Sequence, residues 1–64
     1  MKKDFTIGEV FQSPKFKWMY KLERIENGVA ILTDIMKPNI RVKFTLNALA
    51  ERIKKGSFVR VPLN

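Results

Sequence analysis

The 64-residue chain contains no cysteine and no histidine. The first absence removes disulfides and thiolate chemistry. The second removes the commonest general base and the other usual zinc ligand. Glycine and proline are scarce, three of each, and no glycine-rich phosphate loop can be assembled from glycines that stand alone. Acidic side chains are also few, six against thirteen basic ones, leaving a formal charge of +7. Long apolar runs are missing as well. The longest unbroken one, Val29 to Leu32, is far short of the roughly 20 residues that span a bilayer. The start, Met1-Lys2-Lys3-Asp4-Phe5, is basic but has no apolar stretch behind it. No secretory signal is therefore predicted, and a cytoplasmic location is the expectation.

The six carboxylates, Asp4, Glu9, Glu23, Glu26, Asp34 and Glu51, show neither EF-hand spacing nor any other metal motif. Glu23 and Glu26 flank a turn close to Lys21 and Arg24 and read as surface acids. The chain is thus read as a non-enzyme that needs no cofactor. Its 45% hydrophobic content is nevertheless too high for a disordered basic tail. One small domain, residues 1–64, is the expectation. A domain of this size buries only about 60% of the surface its unfolded chain exposes, so packing alone, or a partner subunit, must hold the core.

The order of elements is legible. Ile7-Gly8 leads into a short strand, Glu9 to Gln12, which stops at Ser13-Pro14. A long segment from Phe16 to Glu26 reads as the second strand, Asn27-Gly28 as a two-residue hairpin turn, and Val29 to Met36 as the third strand. Within that hairpin Tyr20 and Leu22 share a face while Ile25 falls out of phase; a β-bulge near Glu23-Arg24 would restore the register. Lys37-Pro38-Asn39 makes a turn, and Ile40-Arg41-Val42-Lys43-Phe44 then alternates strictly, apolar inward and basic outward. The period changes at Leu46, Leu49, Ala50 and Ile53, one helical stripe. Thr45 or Asn47 can cap its start, Glu51 and Lys55 are spaced for an ion pair, and Gly56 suits a left-handed C-terminal cap. A helix of about 45–55 follows by cap and period. Ser57 to Pro62 is the last strand, with Phe58, Val59 and Val61 as its apolar residues.

This order is that of a mainly β fold, an SH3-like small barrel of about five antiparallel strands with one short helix before the last strand. The opening Ile7-Gly8-Glu9-Val10-Phe11, Tyr20-Lys21-Leu22, Val29-Ala30-Ile31-Leu32, Arg41-Val42-Lys43-Phe44-Thr45-Leu46 and Gly56-Ser57-Phe58-Val59 carry the pattern. In these segments the chain resembles SH3-like small barrels that accompany DNA-handling proteins of phages and transposable elements. Proteins of that fold bind nucleic acid, peptides or other proteins, so the resemblance implies a binding module without choosing its ligand.

Charge and aromatics narrow the choice. Residues 33–64 carry seven basic and two acidic side chains, residues 1–32 six and four. In Pro14-Lys15-Phe16-Lys17-Trp18-Met19-Tyr20-Lys21, an extended backbone puts Phe16, Trp18 and Tyr20 on one face and Lys15, Lys17 and Lys21 on the other. Either all three aromatics belong to the core, the favoured reading for Phe16 and Tyr20, or Phe16 and Trp18 form an exposed stacking platform beside phosphate-tracking lysines. Arg41 and Lys43 must point outward, as must Arg60 if Val59 and Val61 are core. Arg52, Lys54 and Lys55 line the helix's polar face. The leading expectation is a nucleic-acid-binding accessory or regulatory protein, with DNA preferred over RNA and little sequence preference. Its candidate contacts are Lys15, Lys17, Trp18, Arg41, Lys43, Lys54, Lys55 and Arg60. The alternative is a protein-interaction module, docking a host or mobile-element enzyme through Trp18, Met19 and Tyr20. A homodimer through the edge at Phe58 to Val61 is also open.

Overall fold

Asn27 and Gly28 both adopt positive φ, 51° and 74°, the left-handed pair that a two-residue hairpin turn demands. From that turn β2 (Met19–Glu26) and β3 (Val29–Asp34) run back antiparallel, Glu26 opposite Val29. The register then jumps, with Arg24 opposite Ile31 and Leu22 opposite Leu32. Glu23 is the extra residue. This is the expected bulge, and it brings Leu22 and Ile25 onto the same side of the sheet.

The structure, a computed structural model, describes residues 5–61. The basic start at Met1 to Asp4 and the predicted strand end at Pro62 lie outside these residues. Besides the hairpin there are β1 (Val10–Gln12), β4 (Arg41–Thr45), α1 (Leu46–Lys54) and β5 (Val59–Val61). All strands pair antiparallel in one sheet of order β4-β3-β2-β1-β5. The protein is thus mainly β with one short helix. The sheet is open, where a closed barrel was expected: β4 and β5 form its two edges. Strand spacing of about 4.8 Å would hold such edges about 19 Å apart in a flat sheet. Yet Phe58, next to β5, meets Phe44 of β4 edge to face at 5.6 Å. The sheet therefore curls until side chains, not backbone hydrogen bonds, bridge its ends.

Several strand limits differ from expectation. β2 begins at Met19 and not at Phe16, because Lys17 takes a positive φ of 63°. The Lys17 amide donates to the Ser13 carbonyl at 2.6 Å and the Ser13 amide to the Trp18 carbonyl at 2.8 Å, closing a tight loop. β3 ends at Asp34 and not Met36, since Asp34 Oδ1 accepts from the amides of Met36 (2.8 Å) and Lys37 (3.2 Å). That side-chain turn leaves Ile40 ahead of β4 and exposed, although alternation placed it inside. In β5 the phase is inverted. Phe58 takes the core position, so Arg60 stands opposite Phe11 on the inner face, while Val59 stands opposite Gln12 and is 47% exposed.

The helix follows its signals closely. Thr45 Oγ1 accepts from the Ala48 amide at 3.1 Å, which makes Thr45 the cap and not Asn47. At the other end Gly56 (φ 83°) donates to the Ile53 carbonyl and Ser57 to that of Arg52. This is the paired hydrogen-bond pattern of a glycine-terminated helix. Leu49 enters a core built from Phe11, Tyr20, Leu22, Ala30, Leu32 and Phe58. Partly buried Phe5, Ile25, Val42, Phe44, Leu46 and Ile53 surround it. Helix and core thus occupy one face of the sheet, and the outward side chains of β4 occupy the other.

Candidate functional site

The loop between β1 and β2 holds two aromatic rings away from the core. Phe16 and Trp18 are 54% and 53% exposed and stack on each other with centroids 4.8 Å apart and planes at 19°. The left-handed Lys17 between them breaks the extended path that would have carried both rings on in line with Tyr20. Tyr20, by contrast, is buried. The core reading therefore holds for Tyr20 and fails for Phe16, because the segment is a loop where an extended strand was assumed.

The stacked pair forms one wall of a groove of about 480 Å³. Tyr20, Phe44 and Phe58 supply aromatic surface, with Val42 beside them. Two cations reach it. The Lys15 ammonium lies 5.4 Å from the Phe16 ring centre, and the Arg52 guanidinium lies over Phe44 at 4.9 Å. Arg52 arrives there because the helix folds back at Gly56: its carbonyl accepts from both the Ser57 and Phe58 amides. Lys54 and Lys55, both exposed, sit at the helix end between Arg52 and the groove-lining Ser57.

A second groove of about 350 Å³ opens on the far side of Trp18, which together with Tyr20 borders both. Met36 and Ile40 give it apolar surface, and Lys17 and Lys37 give it charge. Lys15, Lys17 and Trp18 are thus brought together, whereas Lys54 and Lys55 line neither groove.

Arg41, Lys43 and Arg60 do not join them. Arg41 and Lys43 stand outward on β4, facing away from the helix. Arg60 lies on the inner face at the opposite sheet edge, held by Glu9 at 3.1 Å and stacked over Phe5 at 5.2 Å. Arg41 donates through Nε to Glu23 Oε1 at 2.9 Å. The Thr33 hydroxyl donates to the same oxygen at 2.6 Å. These two hydrogen bonds, Thr33 first and Arg41 second, hold the Glu23 carboxyl below its ordinary pKa. Burial, with a smaller effect from the Asp34 charge, pushes the Tyr20 phenol up. Arg24 pairs with Glu26 at 3.3 Å. Of the four arginines, Arg52 alone has no ion pair among the described residues, and it is the one in the aromatic groove.

Arg52, Phe44 and Phe58 are the contributors that sequence reasoning left out of the site, and Phe16, weighed there as a stacking ring, was favoured as core. The signal for Arg52 was available in Gly56, whose chain reversal returns the helix end towards Phe58. Among the described residues no cluster of acidic side chains could hold a metal ion, and no helix is long and apolar enough to cross a membrane. Compared with family models, curated proteins and solved structures, the chain matches none.

Proposed function

We propose that the protein is a small nucleic-acid-binding module of SH3-like type, with its sheet left open, and that single strands are its preferred ligand. The observation that carries this reading is the Phe16-Trp18 stack, held out of the core beside a groove that also contains Lys15 and Arg52. Burying a side chain of that size stabilises a fold by about 1.5–3 kcal/mol, which a domain this small forgoes twice. Flat exposed ring faces accept unpaired bases, which stack with little regard to sequence, and flanking cations accept phosphates. In the SH3-like reading, the β1–β2 loop and the end of the helix form the two banks of the ligand groove.

Duplex DNA fits less well. The cations expected to track it are divided between two sheet faces, and Arg41 and Arg60 are each paired with a carboxylate. Among the described residues no helix is free to enter a major groove, since α1 packs on the sheet through Leu49. The role that follows is an accessory or regulatory factor with weak sequence preference and no reaction of its own. DNA and RNA share the chemistry that the groove recognises, with DNA the first choice.

Fluorescence anisotropy with labelled single-stranded DNA, RNA of the same sequence and duplex DNA, each at several salt concentrations, tests the reading. Single strands should bind more tightly than duplex. If about three to four phosphates are neutralised, the logarithmic salt slope should be about −2 to −3. Trp18→Ala should weaken binding by about 1–3 kcal/mol, and Arg41→Ala should leave it nearly unchanged. Unchanged anisotropy at low salt with micromolar protein would sink the proposal. Equal losses on removing any cation, in the groove or outside it, would reduce the interaction to net charge.

A further inference from the structure

The second groove has a different chemistry from the first. Its exposed surface is largely aliphatic, with Trp18 its one exposed ring: Met36 is 82% exposed and Ile40 stands clear of β4. We infer that this groove docks an extended, acidic protein segment carrying bulky aliphatic side chains. The inference goes beyond nucleic-acid binding and rests on residues of the β3–β4 turn. Exposed apolar side chains gathered at one place mark an interaction surface more strongly than the same residues scattered singly. Methionine, unbranched and polarisable, adapts to whatever apolar group it meets.

Charge decides the occupant. Lys17 and Lys37 both border the groove. Asp34, its single acid, spends one carboxylate oxygen on the amides of Met36 and Lys37. Acidic groups on the incoming segment would therefore meet two lysines against one acid. A second copy of this chain fits poorly, since it would bring another +7 and the same two lysines against them. Nucleic acid would find only Trp18 to stack on here, since methionine and isoleucine offer no flat face for a base. An anionic bilayer would need these side chains on a crest, and they line a furrow.

The test is an NMR titration of the ¹⁵N-labelled full-length protein with a short peptide of alternating glutamate and leucine. Counterparts of lysine and leucine, and of glutamate and serine, serve as controls. Saturable shifts are expected at Lys17, Met36, Lys37 and Ile40, with the glutamate-leucine peptide only. Met36→Ser and Lys37→Glu should each weaken that binding by about tenfold, with the remaining amide signals in place as evidence of an intact fold. No shift in the wild-type protein at millimolar peptide overturns the inference. So do equal shifts with the lysine-leucine peptide, or loss of these signals on phosphatidylserine vesicles without any response to the peptide. Failure to bind single strands would leave the result of this titration untouched, because Met36 and Ile40 do not border the first groove.

Discussion

A carboxylate on a β-bulge has freedom that a ladder position denies it. Glu23 has no partner across the strand pair, and its side chain gathers the Thr33 hydroxyl and the Arg41 guanidinium instead. Those donors favour the charged form and lower its pKa. The contribution to stability is present above the pKa of the unfolded chain. It is lost as pH falls through the lowered folded value, where loss of the charge weakens both acceptor bonds. Glu23→Gln should therefore flatten the acid limb of a plot of melting temperature against pH, by lowering the melting temperature slightly at neutral pH and converging on the wild type in acid. Circular dichroism melts of both proteins, from neutral pH to below the ordinary glutamate range, check it. An unchanged acid limb would mean that another group carries the pH dependence. The position of this bulge was legible because Ile25 breaks the alternation that Tyr20 and Leu22 set. Which side chains would fill the gap was not legible, since Thr33 and Arg41 arrive from other strands.

Elements that rest on local chemistry could be placed from the chain alone. Asn27-Gly28 has the two residue types that tolerate positive φ, and Leu46, Leu49 and Ile53 recur at helical spacing. The loop from Ser13 to Trp18 resisted such reading. Nothing in Lys17 announces a left-handed backbone, and an extended chain there would have produced a clean face of aromatics. The last strand misled for a different reason. Phe58, Val59 and Val61 support either phase, and only contacts with Phe11, Tyr20 and Phe44 choose Phe58. The helix cap offers the clearest prediction at this scale. Thr45→Ala removes the acceptor for the Ala48 amide and should destabilise the protein by about 1 kcal/mol. Urea unfolding followed by circular dichroism measures it. Thr45→Asp should restore most of the loss, which a simple packing defect would not allow.

At the scale of the whole molecule, the charge of +7 resolves into two populations. Arginines are mostly tied to carboxylates along the sheet, while Lys15, Lys17, Lys37, Lys54 and Lys55 are exposed in the loops and at the end of the helix. A count cannot separate them, because the separation depends on which acids the fold brings near. Stability is governed by the other half of the composition. A domain of this size is held by about 3–10 kcal/mol in total, and Leu32 is fully buried at the centre of the sheet. Leu32→Ala should remove about 2–5 kcal/mol, enough to leave a large unfolded fraction at body temperature. Differential scanning calorimetry would show a broad, early transition, and a sharp one near the wild-type temperature would mean the core repacks. The chain's one tryptophan stands between the two grooves, half exposed and stacked on Phe16. Its indole is therefore a built-in optical reporter with access to both. A nucleobase laid against it would quench its emission, and an aliphatic segment would shift that emission to the blue. Occupancy of either groove could then be followed in real time on the unlabelled protein, with the colour of the signal telling which one has filled.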